Sequence, residues 1–219
     1  MKIPESTING EAVSKPQGRN TPNPEAGTGY FKQVWPAAEV TTLKADIKIS
    51  NPNQGPAWGA MYWQYFEDLD KITAAETPLS LKKALFKERL SDSGPVLDLV
   101  HDGNRLQVGD KVVVRIELRT DRDMEYLHLK DMRSSGFEPI NVLSGYKRQD
   151  GLWYYEATGD AATNFFIESL PKGTYVFEYA LRVMQKGDFS NGISSIQCLY
   201  APEYSSHSAG IRVQVSGGR

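Results

Sequence analysis

The chain has 219 residues, of which 40% are hydrophobic and 24% charged, the balance of an ordinary soluble globular protein. A formal net charge of -2 gives no electrostatic ground for binding nucleic acid or an anionic membrane. No apolar stretch approaches the ~20 residues of a membrane-spanning helix, so direct membrane insertion is not expected. A single cysteine, Cys198, leaves no internal disulfide and no multi-cysteine zinc site.

Residues 1–28 are rich in Pro, Gly, Asn, Ser and Thr and read as a loosely ordered N-terminal segment. Within it, Asn9-Gly10 is the dipeptide that type I′ turns prefer, so Thr7 to Val13 is a candidate hairpin. No apolar stretch of the kind found in a secretory leader follows Met1; an exported protein would take its signal from a longer precursor. From Gly29 the sequence becomes β-like. Tyr30–Trp35 and Ala45–Ile49 are short runs of β formers, and Asn51–Pro56 reads as a turn. Trp58–Phe66 carries aromatic residues on both faces, which predicts a strand that is either covered on both sides or held at an interface.

Leu79–Leu90 fits two patterns. Leu81, Leu85 and Phe86 make a helical face with Lys82, Lys83, Lys87 and Arg89 in solvent; the same residues also fit a strand with an irregularity. The surrounding sequence is β throughout, and a strand is the reading adopted. Lys111–Arg119 is the clearest strand, with Val112, Val114, Ile116 and Leu118 alternating with Lys111, Val113, Arg115, Glu117 and Arg119. Met124–Leu129 alternates as well. Pro171-Lys172-Gly173 predicts a turn leading into Tyr175–Val183, where Tyr175, Phe177 and Tyr179 share the face expected to build the core. Ile193–Tyr200 and Ile211–Val215 complete the series. Strands joined by turns without intervening helices predict an all-β, antiparallel sandwich of the Ig-like or fibronectin-like kind.

Chemistry-bearing patterns are sparse. The G-x-S-x-G elbow, glycine-rich phosphate loops and H-x-x-x-H are missing, and His101, His128 and His207 are widely separated. Asp121-Arg122-Asp123 and Glu67-Asp68-Leu69-Asp70 do not continue into calcium loops and read as charged turns. Cys198 lies in an apparent strand, where a small buried thiol is the expected role. These features predict a non-enzymatic protein with no cofactor and no metal.

Several segments, in order, resemble the last macroglobulin-like domain of bacterial alpha-2-macroglobulins. Leu127–Pro139 (LHLKDMRSSGFEP) is similar to the family's "v-x-D-x-x-P-A-G-F-E", and Leu170–Tyr179 (LPKGTYVFEY) to its "L-P-A-G-T-Y-x-F-x-Y". Gly187-Asp188-Phe189 matches "G-x-F". Leu199–Glu203 (LYAPE) resembles "M-Y-x-P-E", and Ser208–Val213 resembles the closing "s-x-G-x-x-v". The resemblance divides the chain into the N-terminal segment 1–28, a partial CUB-type β region at 29–77, and the C-terminal macroglobulin-like sandwich at 78–219.

That resemblance implies a scaffold region of a protease-trapping parent. The family's thioester joins a Cys to a Gln three residues on; here that position holds Ala201, so this chain lacks the covalent trap. Implied partners are neighbouring domains of the parent, including its thioester-type helical domain, and target proteases through the parent. Aromatic-rich segments like these resemble Bacteroides-type members, which implies a periplasmic or cell-envelope parent with a lipid anchor. Tyr30, Trp35, Trp58, Trp63 and Tyr65 form the candidate docking surface. The competing reading is an autonomous glycan- or protein-binding sandwich, which exposed Trp and Tyr on one sheet face would favour.

Overall fold

The computed structural model describes residues 5–8, 11–12, 32, 34–51, 54–56, 61–101, 105–149 and 151–217. The chain divides into two compact units, residues 1–64 and 65–219. In the first unit β1 (Glu5–Ile8) pairs antiparallel with both β2 (Glu11–Ala12) and β3 (Ile47–Ser50). Ile8 stands opposite Glu11, the hairpin register expected around Asn9-Gly10, although those two residues lie outside the described ones. Two short 3-10 turns, Ala37–Glu39 and Thr42–Ala45, precede β3.

The second unit holds the remaining strands, in chain order β4 (Leu79–Ser91), β5 (Gly94–Leu99), β6 (Arg105–Gln107), β7 (Lys111–Thr120), β8 (Met124–Met132) and β9 (Phe137–Pro139). They continue with β10 (Gly145–Gln149), β11 (Leu152–Thr158), β12 (Ala162–Leu170), β13 (Gly173–Val183), β14 (Gly187–Ser190), β15 (Ser194–Cys198), β16 (Ser205–His207) and β17 (Arg212–Ser216). Six strands form one sheet in the order β10-β11-β12-β8-β15-β16, and five form the other in the order β5-β4-β7-β13-β9. A small third sheet, β14-β17-β6, includes a parallel pair between β17 and β6; the other pairings are antiparallel.

Alternation builds the core. Val112, Val114, Ile116 and Leu118 of β7 are each fully buried, as the period-2 pattern requires. Leu79, Leu81 and Leu85 of β4 face the same way, so the Leu79–Leu90 segment is a strand. From the opposite sheet come Leu127 and Leu129 of β8, Phe165 and Ile167 of β12, and Tyr154 of β11. Phe177 meets Tyr154 and Phe165 at ring separations of 5.1 and 5.3 Å, and half-buried Tyr175 and Tyr179 pack against the same cluster. The shared face of these three residues is therefore the inter-sheet core.

Among the described residues, parts of two segments expected as strands lie outside any strand. Lys32 and Val34–Pro36 lie outside any strand; Tyr30, Phe31 and Gln33 are outside the described residues. Met61–Phe66 is irregular, and its side chains are open to solvent: Tyr62 is 83% exposed and Tyr65 69%. A β-rich sequence makes a strand only when a neighbouring strand takes up its backbone hydrogen bonds. Met61–Phe66 takes part in none of the strand pairings among the described residues.

Two segments of the family resemblance are places where the chain crosses between the large sheets. From β8 the chain turns at Arg133–Gly136, where the Phe137 amide donates to Ser134 O at 3.1 Å, and enters the other sheet as β9. Pro171-Lys172 connects β12 to β13 across the sandwich; the Tyr175 hydroxyl donates to Pro171 O at 2.9 Å, and the Lys172 amide donates to Asp123 Oδ1 at 2.7 Å. Phe189 explains two glycines. A Cβ at Gly136 would stand 2.8 Å from its ring, and one at Gly187 2.7 Å, with Gly187 also at φ +155°. Gly136→Ala is expected to cost about 1–3 kcal/mol by overpacking, read in urea melts, and Phe189→Leu in the same chain should recover part of that loss.

Candidate functional site

Polar side chains inside the sandwich converge where β4, β8, β13 and β15 meet. Lys83 lies on the inward row of β4, between Leu81 and Leu85, and its side chain has no exposure. Its Nζ is 2.8 Å from Asp131 Oδ1 on β8 of the opposite sheet, a carboxylate that is equally enclosed. The ammonium also donates to the main-chain oxygens of Met132 (2.6 Å) and Asn191 (3.1 Å). Asp131 Oδ1 accepts the Ser194 hydroxyl at 2.6 Å, and Oδ2 accepts the Tyr179 hydroxyl. Both charges are thus paired and hydrogen-bonded, the condition under which burial of ions is tolerated. Lys83 read from a helical face belonged in solvent; the strand reverses that placement.

Around this pair the buried polar set continues. Asn191 Oδ1 accepts the Ser134 amide at 3.1 Å, and Arg133 donates to the carbonyls of Gly159 and Asp160. Arg133 Nε and Asn191 Nδ2 are buried with no hydrogen-bond partner among the described residues. Burial drives the Lys83 amine below its ordinary value. Burial first, and then the Asp131 charge, hold the Tyr179 phenol well above its own. The arrangement ties the two sheets together, with the Lys83 and Asp131 side chains wholly enclosed.

The two outer faces differ. On the five-stranded sheet, charges pair across strands: Arg115 with Glu178 at 2.5 Å, Lys111 with Glu88 at 2.8 Å and Lys82 with Glu117 at 3.7 Å. On the six-stranded sheet one register row reads Tyr146, Tyr155, Phe166, His128 across four strands. Tyr146 and Tyr155 meet edge to face at 5.1 Å, and Phe166 stacks on His128 at 4.8 Å. Trp153 and Tyr200 stand exposed on or beside this sheet. These rings were not singled out in the sequence; the signal was the alternation of Trp153-Tyr154-Tyr155, in which only Tyr154 turns inward.

Of the five aromatic residues selected from sequence, Trp35 is half-buried with the Lys44 ammonium 5.2 Å from its ring centroid. Trp63 is 47% exposed. Both belong to the first unit. Tyr65, at the start of the second, lines a shallow cleft of about 420 Å³ with Phe66, Ile72, Ala75 and His207. Tyr30 and Trp58 lie outside the described residues. Cys198 is buried at the end of β15, its thiol donating to Glu125 O at 3.3 Å. Among the described residues no three His, Cys, Asp or Glu side chains are close enough to hold a metal ion, and no helix is long and apolar enough to cross a membrane.

Two antiparallel sheets closed over an aromatic and aliphatic core, with the chain crossing between them at β8–β9 and β12–β13, define a macroglobulin-like β-sandwich. Residues 79–203 match the family described as the bacterial alpha-2-macroglobulin MG10 domain, and the chain belongs to that family. The fold is similar to that of Salmonella alpha-2-macroglobulin reacted with methylamine, with TM-score 0.52 and 16% identity over 66% of this chain and 10% of that one. It is also similar to Escherichia coli alpha-2-macroglobulin activated by porcine elastase, with TM-score 0.51 and 14% identity over 66% of this chain and 14% of that one. Among curated proteins, circularly permutated Ras protein 2 of Dictyostelium discoideum is 23% identical over 112 residues, 51% of this chain and 3% of that protein. This chain therefore spans a small part of each protein it resembles.

Tyr179→Phe leaves Asp131 Oδ2 without its donor and is expected to cost about 1–3 kcal/mol in urea melts at neutral pH. The phenol titrates higher in the native state than its ordinary 10.0, so its contribution is complete below pH 10.0 and is lost as pH rises toward the native value. Melts above pH 10 should show this alkaline decline in the wild type and a flatter profile in the Phe variant.

Proposed function

We propose that the chain is the non-catalytic C-terminal scaffold region of a bacterial alpha-2-macroglobulin-like protease inhibitor: residues 29–77 the end of a CUB-type region, and 78–219 the last macroglobulin-like sandwich. Membership of the MG10 family supports the scaffold role. The observation that carries the docking part is Met61–Phe66, a β-forming sequence left unpaired with Tyr62, Trp63, Tyr65 and Phe66 open to solvent. Exposed aromatic side chains in one run are what an interface covers. On this reading the partner is the thioester-type helical domain of the parent, with Tyr30, Trp35, Trp58, Trp63 and Tyr65 in the docking surface. Target proteases are met only through the parent, in the periplasm or at the cell envelope.

The row on the six-stranded sheet favours a second reading, an autonomous glycan- or protein-binding module. The pairing of the rings weighs against sugars, because Phe166 and His128 lie face on face at an interplanar angle of 7° and each covers one face of the other. A sugar platform needs an open ring face. The row suits a protein surface better, and a second neighbouring domain of the parent is a fitting cover for it.

The purified chain, mixed with the thioester-type domain of its parent, is expected to give a stoichiometric complex by size exclusion and calorimetry. Trp63→Ala with Tyr65→Ala should weaken it at least about tenfold, as for loss of interface anchors. No complex at high micromolar concentration would overturn the scaffold reading. Glycan binding abolished by Trp153→Ala would establish the second one.

A further inference from the structure

The interface between the two large sheets is ionic where Lys83 of β4 meets Asp131 of β8, Nζ to Oδ1 2.8 Å, with both side chains wholly enclosed. A carboxylate and an ammonium held in contact away from water are the two halves of an amide. Passing one proton along the 2.8 Å contact converts them to a neutral carboxylic acid and a neutral amine, the form a low-dielectric interior favours. The amine then keeps its two N–H bonds on Met132 O and Asn191 O. Its remaining position, now a lone pair, is the one directed at the Asp131 carboxyl. The chain's single cysteine cannot form a disulfide within it, so any covalent tie between the sheets needs other chemistry.

We propose that Lys83 and Asp131 condense to an intramolecular isopeptide bond that joins the two sheets. The Nζ lone pair attacks Cγ, and the Nζ–Cγ bond forms. The Tyr179 hydroxyl, already donating to Oδ2, carries the negative charge that develops there. One Nζ proton passes to Oδ1, with the Ser194 hydroxyl at 2.6 Å as relay. Oδ1, which holds the first transferred proton, receives this second one, the Cγ–Oδ1 bond breaks, and one water leaves. The product is a secondary amide with Oδ2 as its carbonyl oxygen; nothing is oxidised or reduced. Tyr179 remains a donor throughout, since burial keeps its phenol protonated. The dry surroundings that disfavour the ion pair also exclude the water needed to hydrolyse the amide. This inference stands on the pair and its four polar contacts and does not depend on the partner assigned above.

Intact mass spectrometry of the full chain under denaturing conditions tests it. The wild type is expected one water lighter than its sequence, and tandem spectra of a digest should contain a branched peptide joining Lys83 to Asp131. Asp102-Gly103 and Asp150-Gly151 can lose the same water by cyclising, so Lys83→Arg is the control. Return of the Arg variant to its full sequence mass supports the bond. A wild-type mass equal to the sequence mass overturns the proposal, as does a water loss that persists in the Arg variant.

Discussion

Enclosing Lys83 and Asp131 constrains the rest of the sandwich. Neither charge can face the interior alone, because an unpaired buried ion costs far more than a mispacked methyl group. The register of β4 against β7, and of β8 against β12 and β15, therefore has to bring the two residues opposite each other. A slip of one residue in either strand would turn one partner to solvent and leave the other stranded. Apolar packing rewards closure of the two sheets in many similar alignments. The ionic contact, with Tyr179 and Ser194 around it, distinguishes one alignment from the others.

The family segments acquire a physical meaning in this frame. Asp131 is the acid of the "x-D-x-x" pattern, and three residues later the chain leaves one sheet for the other through Ser134 and Gly136. A crossing of that kind has little room: Gly136 lies under the Phe189 ring, and the Ser134 amide is held by Asn191. The second crossing, at Pro171-Lys172, is tied down by Asp123 and Tyr175. Two of the segments that carry the family resemblance are thus corners of the sandwich, where few residues fit.

Most of the β architecture could be read from alternation alone, because β7 and β13 bury one side and wet the other. Lys83 could not be read so directly. Hydropathy assigns a lysine to solvent, and only its place in the row Leu79, Leu81, Lys83, Leu85 shows that it points inward. The aromatic run before Tyr65 misled in the opposite direction. Its composition suits a strand, but pairing is a property of the neighbour as well as of the sequence, and Met61–Phe66 pairs with none among the described residues. The outer row of the six-stranded sheet was hidden for a related reason: Tyr146, Tyr155, Phe166 and His128 are far apart in sequence and become neighbours only through cross-strand register.

The described tryptophans share a property that bears on spectroscopy. Trp35 is half-buried, Trp63 and Trp153 are open to solvent, and none belongs to the inter-sheet core, whose rings are Phe137, Tyr154, Phe165 and Phe177. Indole emission from these three residues consequently reports on the periphery of the units that carry them. Melting the sandwich changes the surroundings of Trp153 little, whereas covering a surface with another protein removes water from the ring and shifts its emission to the blue. The emission of Trp153 is in effect an occupancy gauge, and a poor thermometer of the fold.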